Sequence, residues 1–229
     1  MESHQIKRVK EDRMVHCDIR DFSGHVGKEV AVSGWVSNRR SSGRVSFLLI
    51  RDGSGLCQAI AEREALGEAY QEVKKIPLES SLTVWGTVVE ESRSPGGYEL
   101  HVSGVEIIHK PEEEFPIGKK EHGPDFLLNN RHLWLRSRRQ VAIMRVRDTL
   151  VRHIREYFHE KHFTLIDSPI FTTTCGEDTS SLFSVDYFDL GKAFLSQTGQ
   201  LYLEAAIFGL GKVYCFGPTF RAERSKTRR

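Results

Sequence analysis

The sequence predicts two domains, a small all-β barrel of the OB type followed by an α+β domain. Residues 29–108 show three short strand patterns, a helix pattern and two more strand patterns, which is the element order of an OB fold. Residues 110–123 alternate proline, glycine and charge, as linkers do. A long amphipathic helix pattern and a strand pattern follow. We therefore predict a polar leader at 1–27, the barrel at 28–109, a linker at 110–130 and the second domain at 131–229.

Composition restricts the class of protein. An apolar content of 39% and a charged content of 28% are typical of a soluble globular chain. No apolar run reaches membrane-spanning length, and the first residues lack the apolar core of a signal peptide. The four cysteines, Cys17, Cys57, Cys175 and Cys215, show no CxxC spacing, which argues against a disulfide framework or a zinc knuckle. We expect a cytoplasmic protein without a membrane partner.

The net charge of +2 conceals local clusters of opposite sign. Arginines crowd residues 131–155 and 221–229, and Glu112, Glu113 and Glu114 lie between the two predicted domains. Local arginine clusters on a nearly neutral chain indicate recognition of phosphates at defined places. They fit this better than a basic surface that binds nucleic acid in general.

The barrel strands are predicted from apolar runs bounded by turn residues. They run from Glu29 to Val36, Val45 to Ile50, Leu56 to Ile60, Ser81 to Glu90 and Tyr98 to Ile108. A stretch rich in Glu, Ala, Leu and Lys, from Glu62 to Lys75, predicts one helix. OB barrels commonly bind oligonucleotides on a strand face and its loops, and a structural barrel without a ligand is the alternative.

In the second domain, a helix is predicted from Gln140 to about Lys161 because apolar residues recur at helical spacing. These residues are Ile143, Val146, Leu150, Val151, Ile154, Tyr157 and Phe158. The stretch His159-Glu160-Lys161-His162 departs from HExxH spacing, so we expect a helix end there and no metal site. A strand from Phe163 to Ile166 follows.

The last stretch of the sequence combines a strand pattern with charge. Val213 to Phe216 predicts a buried strand that ends at Gly217-Pro218. Phe220-Arg221-Ala222-Glu223 comes next, and then a loop with four cationic side chains in six residues. This arrangement suits a polyphosphate whose charge is held while it reacts. A solvated charge run at the end of a domain is the alternative.

Those residues carry a family resemblance. Phe220-Arg221-Ala222-Glu223 resembles motif 2 of the class II aminoacyl-tRNA synthetases, and GPTFRAERSKTRR resembles their asparaginyl branch more than the aspartyl one. The resemblance implies a catalytic domain built on an antiparallel sheet with flanking helices. Because the sequence ends inside the motif, we expect the front part of a longer enzyme that is inactive alone.

The resemblance implies an ATP-dependent ligase that forms an aminoacyl-adenylate and then charges tRNA. It assigns the α-phosphate of ATP to Arg221, the adenine end to Glu223, and outer phosphates or the tRNA acceptor end to Arg228 and Arg229. The attacking carboxylate is ionised at neutral pH and needs no general base, so positioning and charge stabilisation are the expected means of catalysis. Mg²⁺ is expected to bridge the phosphates, with its ligands beyond residue 229 and none within this chain.

Two further residues are assigned to the amino acid by resemblance. Glu177, in the polar loop from Thr172 to Ser181, matches the loop that closes near the substrate ammonium group. Gln200 matches a glutamine that contacts the α-amino group. Leu203 stands where aspartyl enzymes carry a lysine that pairs with the substrate carboxylate. A buried charge needs a partner and a neutral amide does not, so we predict asparagine and asparagine-accepting tRNA as substrates.

The barrel is similar to the anticodon-binding domain of the aspartyl, asparaginyl and lysyl enzymes. Arg40, Phe47 and Gln58 keep the spacing of the residues that read the central anticodon uridine in aspartyl relatives. An aromatic ring stacks on a splayed base, and an amide and a guanidinium read its edge. A core role for Phe47 is the alternative.

The helix and strand before Pro169 resemble motif 1, which implies a homodimer. Two other functions stay open at this point: a non-catalytic module that binds tRNA or another RNA, and an aspartyl enzyme of relaxed tRNA choice, against which Leu203 argues. A reading frame that continues past Arg229 into the remaining motifs would favour the ligase over the binding module.

Overall fold

A computed structural model describes residues 15–118, 120–173 and 182–223. The fold divides into two units, Met1–Gly123 and Pro124–Arg229. The division falls inside the predicted linker at 110–130, although a helix at Pro124–Asn129 occupies the end of that segment. The predicted domain bounds themselves stay a prediction.

Five long strands close a barrel in the first unit. They are β2 (Glu29–Ser42), β3 (Val45–Arg51), β4 (Leu56–Glu62), β5 (Ser81–Glu90) and β6 (Tyr98–His109), preceded by the short β1 (Val15–His16). The order is β2-β3-β4-β6-β5, with β2 also paired to β5 and only β4 and β6 parallel within the barrel. This confirms the predicted OB fold. The inward side chains of every strand meet in one apolar core.

Part of the predicted polar leader belongs to the barrel. β1 pairs with β2 in parallel, and a 3-10 helix at Ile19–Gly24 follows it. Ile19 and Phe22 are buried and join the core cluster. Two isolated apolar side chains in this polar stretch thus anchor residues 15–27 to the barrel.

The helix predicted as one piece is broken in two. Helix α1 spans Arg63–Leu66 and helix α2 spans Ala69–Lys75. Gly67 lies between them with a φ of 57°, and its N–H donates to the carbonyl oxygen of Arg63. Glycine adopts this left-handed conformation at no steric cost and ends a helix there. Tyr70 and Val73 of α2 are then buried against the barrel.

Strand β2 runs six residues past its predicted end at Val36, and a β-bulge lies in the extension. The register with β3 shifts between Val36 and Asn38, so Ser37 is the additional residue. Val36 points inward and is fully buried. Without the bulge, strict alternation would turn Arg40 inward as well. With the bulge, Arg40 is directly opposite Phe47 of β3 on the outer face.

The second unit begins with helices α3 (Pro124–Asn129), α4 (Arg131–Trp134) and α5 (Arg138–Glu160). Ser137 caps α5 by accepting a hydrogen bond from the Gln140 backbone N–H at 3.4 Å. After α5 come β7 (Thr164–Leu165), β8 (Phe171–Thr172), β9 (Ser184–Asp186), β10 (Lys192–Leu195), α6 (Gln200–Leu210) and β11 (Val213–Tyr214). Both strands predicted here, Phe163 to Ile166 and Val213 to Phe216, are shorter than expected.

Two small sheets form among these strands. β8, β10 and β9 make the antiparallel sheet that was expected, whereas β11 pairs with β7 in parallel. Phe158 of α5 stacks on Tyr214 of β11 with ring centroids 4.5 Å apart, which joins the long helix to this pair. In the described part of the chain, no helix has the length and apolar character needed to cross a membrane.

Candidate functional site

The outer face of the barrel brings together the three residues predicted to read a base. Arg40 is paired with Phe47 across β2 and β3, and Gln58 lies on β4 opposite Leu49. The Arg40 guanidinium lies over the Phe47 ring, 4.5 Å from its centroid. Arg40 Nη2 donates to Gln58 Oε1 at 3.2 Å. We call Arg40, Phe47 and Gln58 the outer-face cluster.

Three residues that were not predicted from the sequence adjoin this cluster. Gln58 Nε2 lies 3.4 Å from both Ser94 Oγ and Glu99 Oε2, and Ser94 donates to Glu99 at 3.1 Å. His101 Nε2 is 2.9 Å from the other oxygen of Glu99. The parallel register of β4 and β6 creates this neighbourhood by pairing Gln58 with Glu99. Such a register across forty residues has no local sequence signal.

The hydrogen bonds determine how Gln58 presents its amide. Its oxygen accepts from Arg40 and its nitrogen faces the buried Glu99 and Ser94. The amide is therefore oriented by charged or polar partners at both ends. An aromatic ring, a guanidinium and an oriented amide on one exposed strand face are the groups that bind a splayed nucleobase.

In the second unit, Gln200 begins α6 at the end of the β10 loop. Its Nε2 donates to Glu204 Oε1 at 2.9 Å, one helical turn later. Leu203 lies between them in sequence and is half-buried. A neutral, apolar side chain thus occupies the position at which aspartyl relatives were expected to carry a cation.

Arg221 and Glu223 lie in an irregular segment after β11. Their closest charged atoms, Arg221 Nη1 and Glu223 Oε1, are 3.9 Å apart, and both side chains are more than half exposed. The backbone N–H of Phe220 donates to the carbonyl oxygen of Ser196 at 3.0 Å. This bond ties the segment that carries Arg221 to the loop that leads into Gln200. Glu177, Arg228 and Arg229 lie outside the described residues.

The described residues offer no obvious metal site, and the thiol in the barrel core is not activated. Among them, no group of three or more His, Cys, Asp or Glu side chains could hold a metal ion. Cys57 lies in the barrel core, where burial and then the charge of Asp52 raise its pKa to about 12. A thiol with such a pKa is protonated at neutral pH and is not a nucleophile.

Comparison with known families divides the chain in the same order. Residues 30–108 match a family model described as an OB-fold nucleic acid binding domain. Residues 123–229 match a model for class II tRNA synthetases of the D, K and N group. An asparagine–tRNA ligase from Pelotomaculum thermopropionicum is 52% identical over 212 residues, which are 92% of this chain and 49% of that enzyme.

Solved structures give the same result. The asparaginyl-tRNA synthetase of Pyrococcus horikoshii, complexed with asparaginyl-adenylate, matches 95% of this chain and 50% of its own, with a TM-score of 0.86 and 41% identity. That of Entamoeba histolytica, also with asparaginyl-adenylate, matches 93% and 49%, with a TM-score of 0.80 and 32% identity. This chain thus spans about half the length of the relatives it matches. Residues 123–229 thus match the class II tRNA synthetase family, and the chain as a whole resembles about half the length of its asparaginyl members.

Proposed function

We propose that this chain serves in the attachment of asparagine to its tRNA, in the cytoplasm, through an asparaginyl-adenylate made from ATP. Relatives that share about half of the aligned residues with it are asparagine–tRNA ligases. Two solved structures that resemble it hold asparaginyl-adenylate. The barrel reads the anticodon, and the second unit supplies part of the site for the amino acid and ATP.

One observation carries the proposal for the barrel: Arg40, Phe47 and Gln58 meet on its outer face although they lie on three strands. Phe47 stacks on the central base of the anticodon once the Arg40 guanidinium moves aside from the ring. Gln58 and Arg40 then exchange their mutual hydrogen bond for bonds to the edge of the uracil. Uracil offers two carbonyl acceptors and one N–H donor, which an amide and a guanidinium complement.

Ser94 and Glu99 act through Gln58. Glu99 is buried, and it faces the Gln58 amide nitrogen and His101. By holding one end of the amide, it keeps the Gln58 oxygen directed toward the base. These contacts hold the Gln58 amide in the orientation that binds the base, which lowers the entropy cost of binding.

In the second unit, Gln200 contacts the α-amino group of asparagine, together with Glu177 from the loop at 172–181. Glu204 accepts from the Gln200 amide nitrogen, which leaves the amide oxygen for the substrate ammonium group. Leu203 provides no cation for a carboxylate side chain, which favours asparagine over aspartate.

Arg221 holds the α-phosphate, because a guanidinium binds two phosphate oxygens at once. Glu223 lies toward the adenine end, and Arg228 and Arg229 serve the outer phosphates or the tRNA acceptor end. The asparagine carboxylate is ionised at neutral pH, so it attacks the α-phosphorus of ATP without a general base, and pyrophosphate leaves as the bond between the α- and β-phosphates breaks. Bound Mg²⁺ would neutralise charge at the phosphates, and we assign it to none of the described residues.

A second copy of the chain packs on α5, as in the homodimer expected from motif 1 around Pro169. Ile143, Val146, Leu150 and Tyr157 follow helical spacing along α5, and each is at least 44% exposed. An apolar stripe of this kind on a long helix is typical of a surface that a partner covers.

The test of the anticodon proposal is filter binding of the 229-residue chain to two tRNA transcripts that differ only in the central anticodon base. We expect the wild-type chain to prefer the uridine transcript, and Phe47→Ala to weaken binding by about 1–3 kcal/mol and to abolish the preference. The matched control is Trp35→Ala, because Trp35 is an exposed ring on the neighbouring strand β2, with the Arg51 guanidinium 5.9 Å from its centroid. Equal binding of both transcripts by the wild-type chain would overturn the proposal.

A further inference from the structure

A charged cleft in the first unit adjoins the outer-face cluster. It has a volume of about 890 Å³, and part of its lining is basic: Arg39, Arg40, Lys74 and Lys75. The rest of its lining includes Pro111–Phe115, with the exposed carboxylates of Glu112, Glu113 and Glu114. We call this the basic cleft and the glutamates the acidic segment. Apart from Arg40, the charged residues named here have no role in the base contacts described above.

A hydrogen bond fixes the position of the basic residues in the cleft. Arg39 Nη1 donates to the backbone carbonyl oxygen of Lys74 at 2.6 Å. Lys74 lies in the last turn of α2, where carbonyl groups lack partners within the helix. The Arg39 guanidinium satisfies one of them and thereby holds β2 beside the end of α2. Cations from two separate elements therefore converge on one concave surface.

The acidic segment is held beside this surface by its neighbour Lys110, whose ammonium group pairs with the carboxylate of Glu72 on α2. Within the described residues, none of the ion pairs joins Glu112, Glu113 or Glu114 to the four cations. The cations are thus available to an anionic ligand, while three negative charges reduce the local potential.

We propose that the basic cleft binds a phosphodiester of the tRNA anticodon loop, and that the acidic segment weakens the hold on RNA in general. The inference rests on the proposed anticodon-reading function. Arg40 connects the two sites, because it lines the cleft and also covers Phe47 and bonds to Gln58. A loop whose base lies on Phe47 brings its own backbone to the cations next to Arg40.

The acidic segment lowers the affinity of the basic cleft for phosphate groups of any RNA. Attraction to phosphate is independent of sequence, so a cleft with four unopposed cations would hold any RNA. Negative charge beside the cations lowers that shared attraction for right and wrong RNAs alike. The ratio of affinities still comes from the base contacts of the outer-face cluster, because a change common to both RNAs cancels in that ratio. The acidic segment lowers the absolute affinity, so that RNAs without the base contacts are held only weakly.

The test measures binding of the same two tRNA transcripts across a series of salt concentrations. For Lys74→Ala/Lys75→Ala, we expect weaker binding of both transcripts by the same factor, and a slope of log affinity against log salt that is smaller by about 1 to 2. For Glu112→Gln/Glu113→Gln/Glu114→Gln, we expect binding of both to tighten about threefold at low salt. Lys28→Ala and Asp21→Asn, which alter exposed charges outside the cleft, are the controls.

The outcomes separate this inference from the proposal it rests on. If the lysine variant keeps the wild-type affinity and salt slope while Phe47→Ala still weakens binding, the cleft does not hold phosphate. If the glutamine variant binds RNA no more tightly than the wild-type chain, the acidic segment does not weaken RNA binding. If Phe47→Ala and the base change have no effect while the lysine variant does, the anticodon proposal fails and the cleft is a general RNA site. Circular dichroism of each variant verifies that the barrel is folded.

Discussion

The two units of the chain bury their apolar side chains to very different extents. Of the buried apolar residues in the described chain, all except Ala193 and Tyr214 belong to the first unit. Most of the large apolar side chains left exposed belong to the second unit, including Phe188 at 87% and Phe208 at 94%. Helix α5 spans 23 residues and none of them is buried. The barrel thus contains its own core, whereas the second unit presents surfaces that other surfaces must cover.

This difference has a consequence for stability. Because burial of apolar area is the main favourable contribution to folding, the barrel is expected to fold by itself. The second unit, with few buried side chains, is expected to open more readily than the barrel. Three sets of substitutions examine this contrast.

The largest effect is expected from removing a core side chain. Leu48 is fully buried in the barrel, so Leu48→Ala should lower the free energy of unfolding by about 2–5 kcal/mol. Phe208→Ala removes a larger side chain that is 94% exposed and should change it by less than about 0.5 kcal/mol. Urea denaturation followed by circular dichroism measures both. A large loss for Phe208→Ala would mean that a partner surface covers α6, and a small loss for Leu48→Ala would contradict the contrast.

Two glycine substitutions should have opposite signs. A Cβ on Gly86 would lie 2.3 Å from the His101 carbonyl oxygen, so β5 and β6 would have to separate. We expect Gly86→Ala to cost about 1–3 kcal/mol, as overpacked sites do. A Cβ on Gly209, inside α6, meets nothing within 4 Å, and alanine should stabilise that helix by about 0.5–1 kcal/mol. Thermal unfolding measures both, and the same sign for the two would contradict the argument.

The smallest effect concerns alkaline pH. Burial raises the pKa of Cys57 from 9.0 to about 12, so the folded barrel keeps the thiol proton where the unfolded chain loses it. This contribution to stability is full below pH 9 and is lost as the pH rises toward 12, on the order of 1 kcal/mol at pH 10. Denaturation midpoints at pH 8 and 10 measure it. Cys57→Ala should lose less stability over this interval, and equal losses would show that Cys57 does not titrate on unfolding.

The barrel was predictable because its strands alternate and its turns carry Gly, Pro, Ser and Asp. The interruption at Gly67 also had a signal, since glycine favours a helix end. The anchoring of Ile19 and Phe22 had almost none, because two apolar residues among polar ones show no period. In the second unit, pairing between strands of only two residues depends on contacts distant in sequence, such as that of Phe158 with Tyr214.

In the candidate site, too, the residues had a local sequence signal but their arrangement did not. The spacing of Arg40, Phe47 and Gln58 identified three residues that the structure brings together, but not how they meet. Their arrangement depends on the bulge at Ser37, and that of Glu99 on the parallel pairing of β4 and β6. The bulge and the parallel pairing are both features of strand register. The alternation of apolar and polar residues determines register poorly where a strand extends beyond the core.

The bulge at Ser37 also determines which of two neighbouring arginines lies opposite the Phe47 ring. If β2 paired with β3 without the bulge, each residue after Val36 would move one place along β3, and Arg39 would take the place of Arg40 opposite Phe47. A guanidinium would therefore lie opposite Phe47 in either register, but the slip would turn Arg40 toward the barrel interior. The bulge thus pairs Arg40 with Phe47 and at the same time keeps its charge away from the apolar core.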